Sequence, residues 1–168
     1  NYLDQVFSVN AWLSSMGGHL LSRQVRTASQ RYILGWWLGA VALMWVMAGA
    51  NFTITFLGLW LLARATVFHL ITTFREMCDH FGLQPGGVFT FTRDMACHGF
   101  WRWLIHPRNN GYHLTHHLLP AVPYYRLPEA HRLLKGQDVF QVRGKVCSAY
   151  FTGADPVTDA WQTQGRVP

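Results

Sequence analysis

The chain has 168 residues, of which 50% are apolar, 15% aromatic and only 13% charged, about half the charged fraction of an ordinary soluble domain. That composition excludes a disordered chain, a collagen and a polar coiled coil, and the three scattered cysteines argue against a disulfide scaffold. The net charge of +6 is dispersed, without the basic-aromatic interleaving of a single-strand binder, so nucleic acid is not an expected partner.

Residues 1–31 carry Arg23, Arg26 and Arg31 against Asp4 and hold a short amphipathic stretch at about residues 9–21. They read as a cytoplasmic or interfacial N-terminal segment. Residues 32–63 carry no charge at all, a run longer than the roughly 20 residues that cross a bilayer once. Gly49-Ala50-Asn51 interrupts this block near its middle. One long tilted helix and a tight hairpin both fit its length. Arginine at both ends favours the hairpin, with both ends in the cytoplasm: one helix over 32–49, a turn at 49–52, and a second helix from Phe52. The second limb runs past Arg64, whose long side chain snorkels to the interface, and the transmembrane region closes at about residue 74. The block starts too late and lacks the small-residue cleavage pattern of a signal peptide. The glycosylation triplet Asn51-Phe52-Thr53 lies too close to the bilayer to serve as an acceptor.

Residues 75–135 gather most of the histidines. Pro85-Gly86-Gly87 marks a loop, and residues 95–106 read as a short interfacial helix. Pro120, Pro123 and Pro128 break any helix after the last histidine cluster. Residues 129–147 suggest a helix and a strand. Residues 136–168 form a C-terminal cytoplasmic tail, loose after Gly153.

The sharpest feature is His113-x-x-His116-His117. On a helix, His113 shares a face with His116 or His117, and neutral imidazoles there can converge on Zn, Cu, Fe or Ni. A second feature is Arg75-Glu76-Met77-Cys78-Asp79-His80. Glu76 and His80 are i, i+4 neighbours, and His69, eleven residues before His80, falls on nearly the same face. Asp79 is placed to hold an imidazole ring, and Asn109, just before the cluster, to orient a ligand or form a turn. The metal candidates are therefore His80, His113, His116 and His117, supported by Glu76, Asp79, His69 and Asn109. His19, His98, His106 and His131 each stand alone and read as surface or interfacial residues.

The box His113-x-x-His116-His117, with its exit Leu118-Leu119-Pro120-Ala121-Val122-Pro123-Tyr124-Tyr125-Arg126-Leu127-Pro128-Glu129-Ala130-His131, resembles the third histidine box of membrane fatty acid desaturases. Membrane alkane and carotenoid hydroxylases share that box. Arg75-Glu76-x-x-Asp79-His80-Phe81-Gly82 is similar to the Arg…Glu-His-x-Gly segment that precedes it, and Thr92-Arg93 and Pro107-Arg108-Asn109 stand where lipid desaturases have similar residues. The resemblance spans roughly residues 33–135.

The resemblance implies an all-α, multi-pass integral membrane helical bundle: a transmembrane hairpin plus cytoplasmic helices that carry histidine boxes. It implies a non-haem di-iron centre with His80, His113, His116 and His117 among the ligands, and molecular oxygen as co-substrate. The substrate would be a membrane lipid or fatty acyl chain. The electron donor would be a ferredoxin, rubredoxin or cytochrome b5, docking on Arg93, Arg102, Arg108 and Arg126. Two departures stand out. Glu76 lies where relatives often have Asn or Thr, and the earlier His-x-x-x-His and His-x-x-His-His boxes do not occur, so the chain reads as the C-terminal half of a longer protein. Gln84-Pro85-Gly86-Gly87 is similar to the cytochrome-b5 haem motif but has Gln in the ligand's place. The competing readings are a hydroxylase of alkanes, carotenoids or sphingolipids with the same centre, and a non-catalytic membrane protein in which four His hold a tetrahedral Zn.

Overall fold

The computed structural model describes residues 2–13, Met16 and 27–164. His19, Arg23, Arg26 and most of the expected amphipathic stretch lie outside the described residues. The chain divides into two units, residues 1–73 and 74–168, and is mostly helical.

In the first unit, α1 (Tyr2–Val6) and α2 (residues 9–13) precede the long apolar α3 (Thr27–Ala63). Helix α3 runs through one turn of π-helix (Arg64–Phe68) into α4 (His69–His80). By length and composition the Thr27–His80 stretch is apolar enough to cross a membrane. It is not straight. Gly49 has φ 80° and ψ 169°, outside helical space. The Trp37 and Trp60 rings lie 4.9 Å apart, whereas 23 residues of continuous helix would separate them by about 34 Å. The chain therefore doubles back at Gly49, a left-handed conformation that a residue without Cβ adopts freely. Thr53 is buried in the bend and donates its hydroxyl to the Gly49 carbonyl at 2.9 Å. Most large apolar side chains along both limbs face outward; Val46 is 79% and Met47 77% exposed. The N-terminal helices fasten onto the π turn and the start of α4. Trp12 Nε1 donates to the Ala65 carbonyl at 3.0 Å, and the Tyr2 hydroxyl to the Leu70 carbonyl at 3.0 Å.

The second unit holds the end of α4, then α5 (Val88–Phe91), β1 (Asp94–Met95), α6 (Phe100–Ile105), α7 (His113–Leu118), α8 (Leu127–Leu134), α9 (Asp138–Arg143), β2 (Val146–Cys147) and α10 (Val157–Gln164). The two strands pair in parallel, Asp94 with Val146 and Met95 with Cys147, so a two-stranded ribbon joins the expected helices. Its core gathers Cys78, Met95, Cys97, Ile105, Cys147, Tyr150 and Val157, with Phe74 and Trp161 packed against them; all three cysteines are free thiols. Among the described residues after Gly153 the tail is not loose: α10 turns Val157 and Trp161, one helical turn apart, onto this core. In α8, Pro128 fits the first turn, and Leu127, Ala130 and His131 form the buried stripe.

Gly111 marks where the histidine-box turn meets the ribbon. Met95 N–H donates to the Gly111 carbonyl at 2.6 Å, and a Cβ on Gly111 would lie 2.6 Å from the Met95 carbonyl oxygen. That obstacle is backbone and cannot rotate away. Gly111→Ala is expected to destabilise this unit by about 1–3 kcal/mol, read as a lower midpoint in urea unfolding. An unchanged midpoint would show that turn and strand part without cost.

Candidate metal centre

Helix α4 ends where its last residue, His80, can project. Gly82 takes φ 75°, Phe81 N–H returns to the Met77 carbonyl at 3.0 Å, and Leu83 N–H to the His80 carbonyl at 3.2 Å, a glycine-terminated helix end. The remaining carbonyls of that end are met by Arg93. Its backbone N–H donates to the Asp79 carbonyl at 3.1 Å, and its guanidinium donates to the Phe81 carbonyl. Arg93 is only 2% exposed, so it caps α4 and leaves the docking surface expected of it. Arg102 is likewise engaged, its guanidinium donating to the Asn109 side-chain oxygen. Arg108 and Arg126 remain exposed.

His80 and α7 meet across three imidazole nitrogens. His113 Nε2 lies 3.0 Å from His80 Nε2 and 3.1 Å from His117 Nε2. All three ligand atoms fall within 4.8 Å of one another. His80 Nδ1 is 2.9 Å from the Phe91 carbonyl. A carbonyl only accepts, so Nδ1 carries the proton and Nε2 offers its lone pair to the cluster. The Phe91 ring centroid is 5.2 Å from those of both His80 and His117, covering one side. Burial, reinforced by the neighbouring imidazoles, pushes His113 down to about 3. The same causes lower His117. His113 and His117 are therefore held neutral, the form in which imidazole ligates a metal.

His116 does not join the three. Its ring lines an adjoining small cavity of about 140 Å³ with Asn110, Val122, Tyr124, Leu127 and His113 itself. Glu76 is exposed and paired with Arg75 at 3.1 Å. His69 Nε2 bonds the Val6 carbonyl at 3.1 Å. Asn109 adopts φ 62°, accepts from Arg102 and donates from Nδ2 to the Tyr124 carbonyl at 3.0 Å, which ties the turn before the box to the exit after it. Asp79 does hold a ring, but that of His106: Oδ1 is 3.1 Å from His106 Nε2. His106 Nδ1 in turn accepts from the Tyr150 hydroxyl at 2.8 Å.

His106 and His131, read from sequence as surface residues, are 1% and 6% exposed. His131 Nδ1 lies 2.7 Å from Asp94 Oδ2. Each buried histidine thus faces a buried carboxylate from a distant part of the chain. The one local signal was His131's place in the exit segment.

Replacing His113, the middle of the three, by Ala is expected to weaken Co(II) binding by more than the roughly 10–100-fold that loss of an outer partner costs. His116→Ala should leave this site's Co(II) absorption bands intact; equal losses from both variants would contradict the partition. Acid should also act on the metal-free chain. An unfolded imidazole titrates near ~6.5, so between there and about 3 the unfolded chain takes up a proton that folded His113 refuses, and stability falls as pH drops. The melting midpoint is expected to fall from pH 7 to pH 5, less steeply in His113→Phe; identical slopes would remove His113 as a cause.

The sequence profile described as fatty acid desaturase matches residues 3–144, which includes the hairpin and all three converging histidines. No curated protein and no solved structure matches the chain. With that profile covering most of its length, the chain belongs to the fatty acid desaturase family.

Proposed function

We propose that the chain is the histidine-box part of an integral membrane acyl-lipid desaturase, which removes hydrogen from an unactivated acyl chain in an oxygen-dependent reaction at a non-haem di-iron centre. The observation that carries this reading is the convergence of Nε2 of His80, His113 and His117. Three imidazole nitrogens within 4.8 Å of one another form a donor set that suits iron. His80, His113 and His117 would hold one iron and His116 would serve the other. Four imidazoles are too few for two six-coordinate ions, so further ligands come from outside these residues, in a longer protein that carries the earlier histidine boxes.

When bound, the iron pair would activate oxygen, the oxidant of the reaction, a chemistry that no side chain supplies. The protein's own part is placement and exclusion of water. The Phe91 carbonyl fixes the His80 tautomer, Phe91's ring shields two of the ligands, and the depressed basicity of His113 keeps protons from competing with metal. The outward-facing apolar side chains of the hairpin form a surface that lipid, not water, accommodates. With arginines at both ends of the charge-free block, the boxes fall on the cytoplasmic side. An acidic electron carrier would meet the exposed Arg108 and Arg126.

The test is expression of the natural gene in a host lacking the activity, followed by metal analysis of the purified protein and profiling of membrane acyl chains. Iron together with a new double bond is expected, and His113→Ala should remove both. Zinc in place of iron with an unchanged acyl profile would sink the reading, and a hydroxylated product would reassign the reaction within the family.

A further inference from the structure

Helix α7 is six residues long, far too short to be stable alone. Yet it must present His113 and His117 to one centre and His116 elsewhere, so its rotation about its own axis has to be set from outside. One group does this from three directions. The Asp94 carboxylate, fully buried, accepts the Thr115 backbone N–H at 2.9 Å on Oδ1 and the Thr115 hydroxyl at 2.5 Å on Oδ2. Oδ2 also accepts the Nδ1–H of buried His131, from α8, at 2.7 Å. Asp94 is itself fixed: its backbone N–H donates to the Lys145 carbonyl at 2.8 Å, and it pairs with Val146 across the parallel ribbon. Thr115 is fully buried and sits between His113 and His116 in sequence, so gripping it by backbone and side chain sets the direction of every histidine on the helix.

We propose that Asp94 is the positioning residue of the histidine-box helix: through Thr115 and His131 it locks the rotation of α7 on the β1–β2 ribbon, and the metal centre depends on it although it binds no metal. His131 holds the same Oδ2 that takes the Thr115 hydroxyl and keeps the carboxylate from turning. A buried carboxylate with both oxygens bonded to fixed donors is held in one orientation. A neutral side chain without them leaves α7 anchored only by its flanking turns. The inference rests on the metal-centre reading for its metal arm and on the apo fold alone for its exchange arm.

The experiment compares Asp94→Ala, Thr115→Val and Val157→Ala in the full chain. Val157 is fully buried in the core, so Val157→Ala reports plain loss of stability without touching Asp94. Two readouts are taken: hydrogen–deuterium exchange of residues 113–118 in the metal-free chain, and titration with Co(II) followed by its absorption bands. Asp94→Ala is expected to speed exchange across α7 by about tenfold or more, to weaken Co(II) binding by roughly 10–100-fold, and to change the band positions. Val157→Ala should keep the bands and the α7 exchange of the parent. Thr115→Val removes the hydroxyl contact but keeps the backbone one, so it should give a smaller change in the same direction, and it carries the test if Asp94→Ala fails to fold. Wild-type exchange and bands in both Asp94→Ala and Thr115→Val would overturn the proposal, as would changes matched by Val157→Ala. If the parent chain binds no Co(II), the metal-centre reading fails, and the exchange arm still decides whether Asp94 locks the helix.

Discussion

Three imidazole nitrogens within 4.8 Å of one another, with His113 Nε2 at hydrogen-bonding distance from the other two, form an arrangement that apolar packing alone does not hold. Each pair needs a proton between its lone pairs, or all three need a shared cation. A second, charging proton on His113 is disfavoured, because burial and mutual repulsion push the ring's pKa down to about 3, which leaves the single N–H of a neutral ring or a shared cation to join the nitrogens. The surrounding structure can be understood as what holds this strained convergence in place. Arg93 caps the end of α4 so that His80 projects, Phe91 fixes the His80 tautomer, and the close Gly111–Met95 approach sets where α7 begins.

The chain sorts its histidines by partner. His106 and His131 each face a buried carboxylate, Asp79 and Asp94, and lie outside the converging group. His80 is bonded to a carbonyl instead, and His113 is surrounded by other imidazoles. Asp79 directly precedes His80 in sequence, yet it is turned into the core toward His106. Its carboxylate is engaged by that ring, while its charge still pulls His117 upward against the burial that lowers it. Keeping carboxylates one residue away but pointed elsewhere leaves a neutral nitrogen donor set.

Much of this was legible from spacing. The charge-free block with arginine at both ends implied a reversal, and Gly49 lies where the sequence placed the turn. The i, i+4 relation of His113 and His117 brought those two rings together. Helical phase misled where it was asked for more than direction. His69, Glu76 and His80 share a face by angle, but eleven residues of helix span about 16 Å, and a shared face is not a shared site. Glu76 is drawn to its neighbour Arg75 instead. The tail failed for a related reason: Val157 and Trp161 are a two-residue apolar stripe in a polar stretch, too short to show as periodicity but sufficient to cover a small core.

The sequence marked Asp79 as a holder of an imidazole ring, but which aspartate pairs with which histidine was not legible. Asp79 and His106 are 27 residues apart and Asp94 and His131 are 37 apart; no local pattern links either pair, and an isolated histidine is ordinarily a surface residue. The ribbon explains why those separations close. Two residues of parallel strand are worth little as sheet, but they bring Asp94 beneath α7 and bind it to the segment that follows α9. A helix of one and a half turns then inherits its orientation from a fixed carboxylate instead of its own hydrogen bonds. That division of labour lets the histidine-box helix stay short, which in turn lets His117 face the converging group, His116 the adjoining cavity, and His113 both, within five residues.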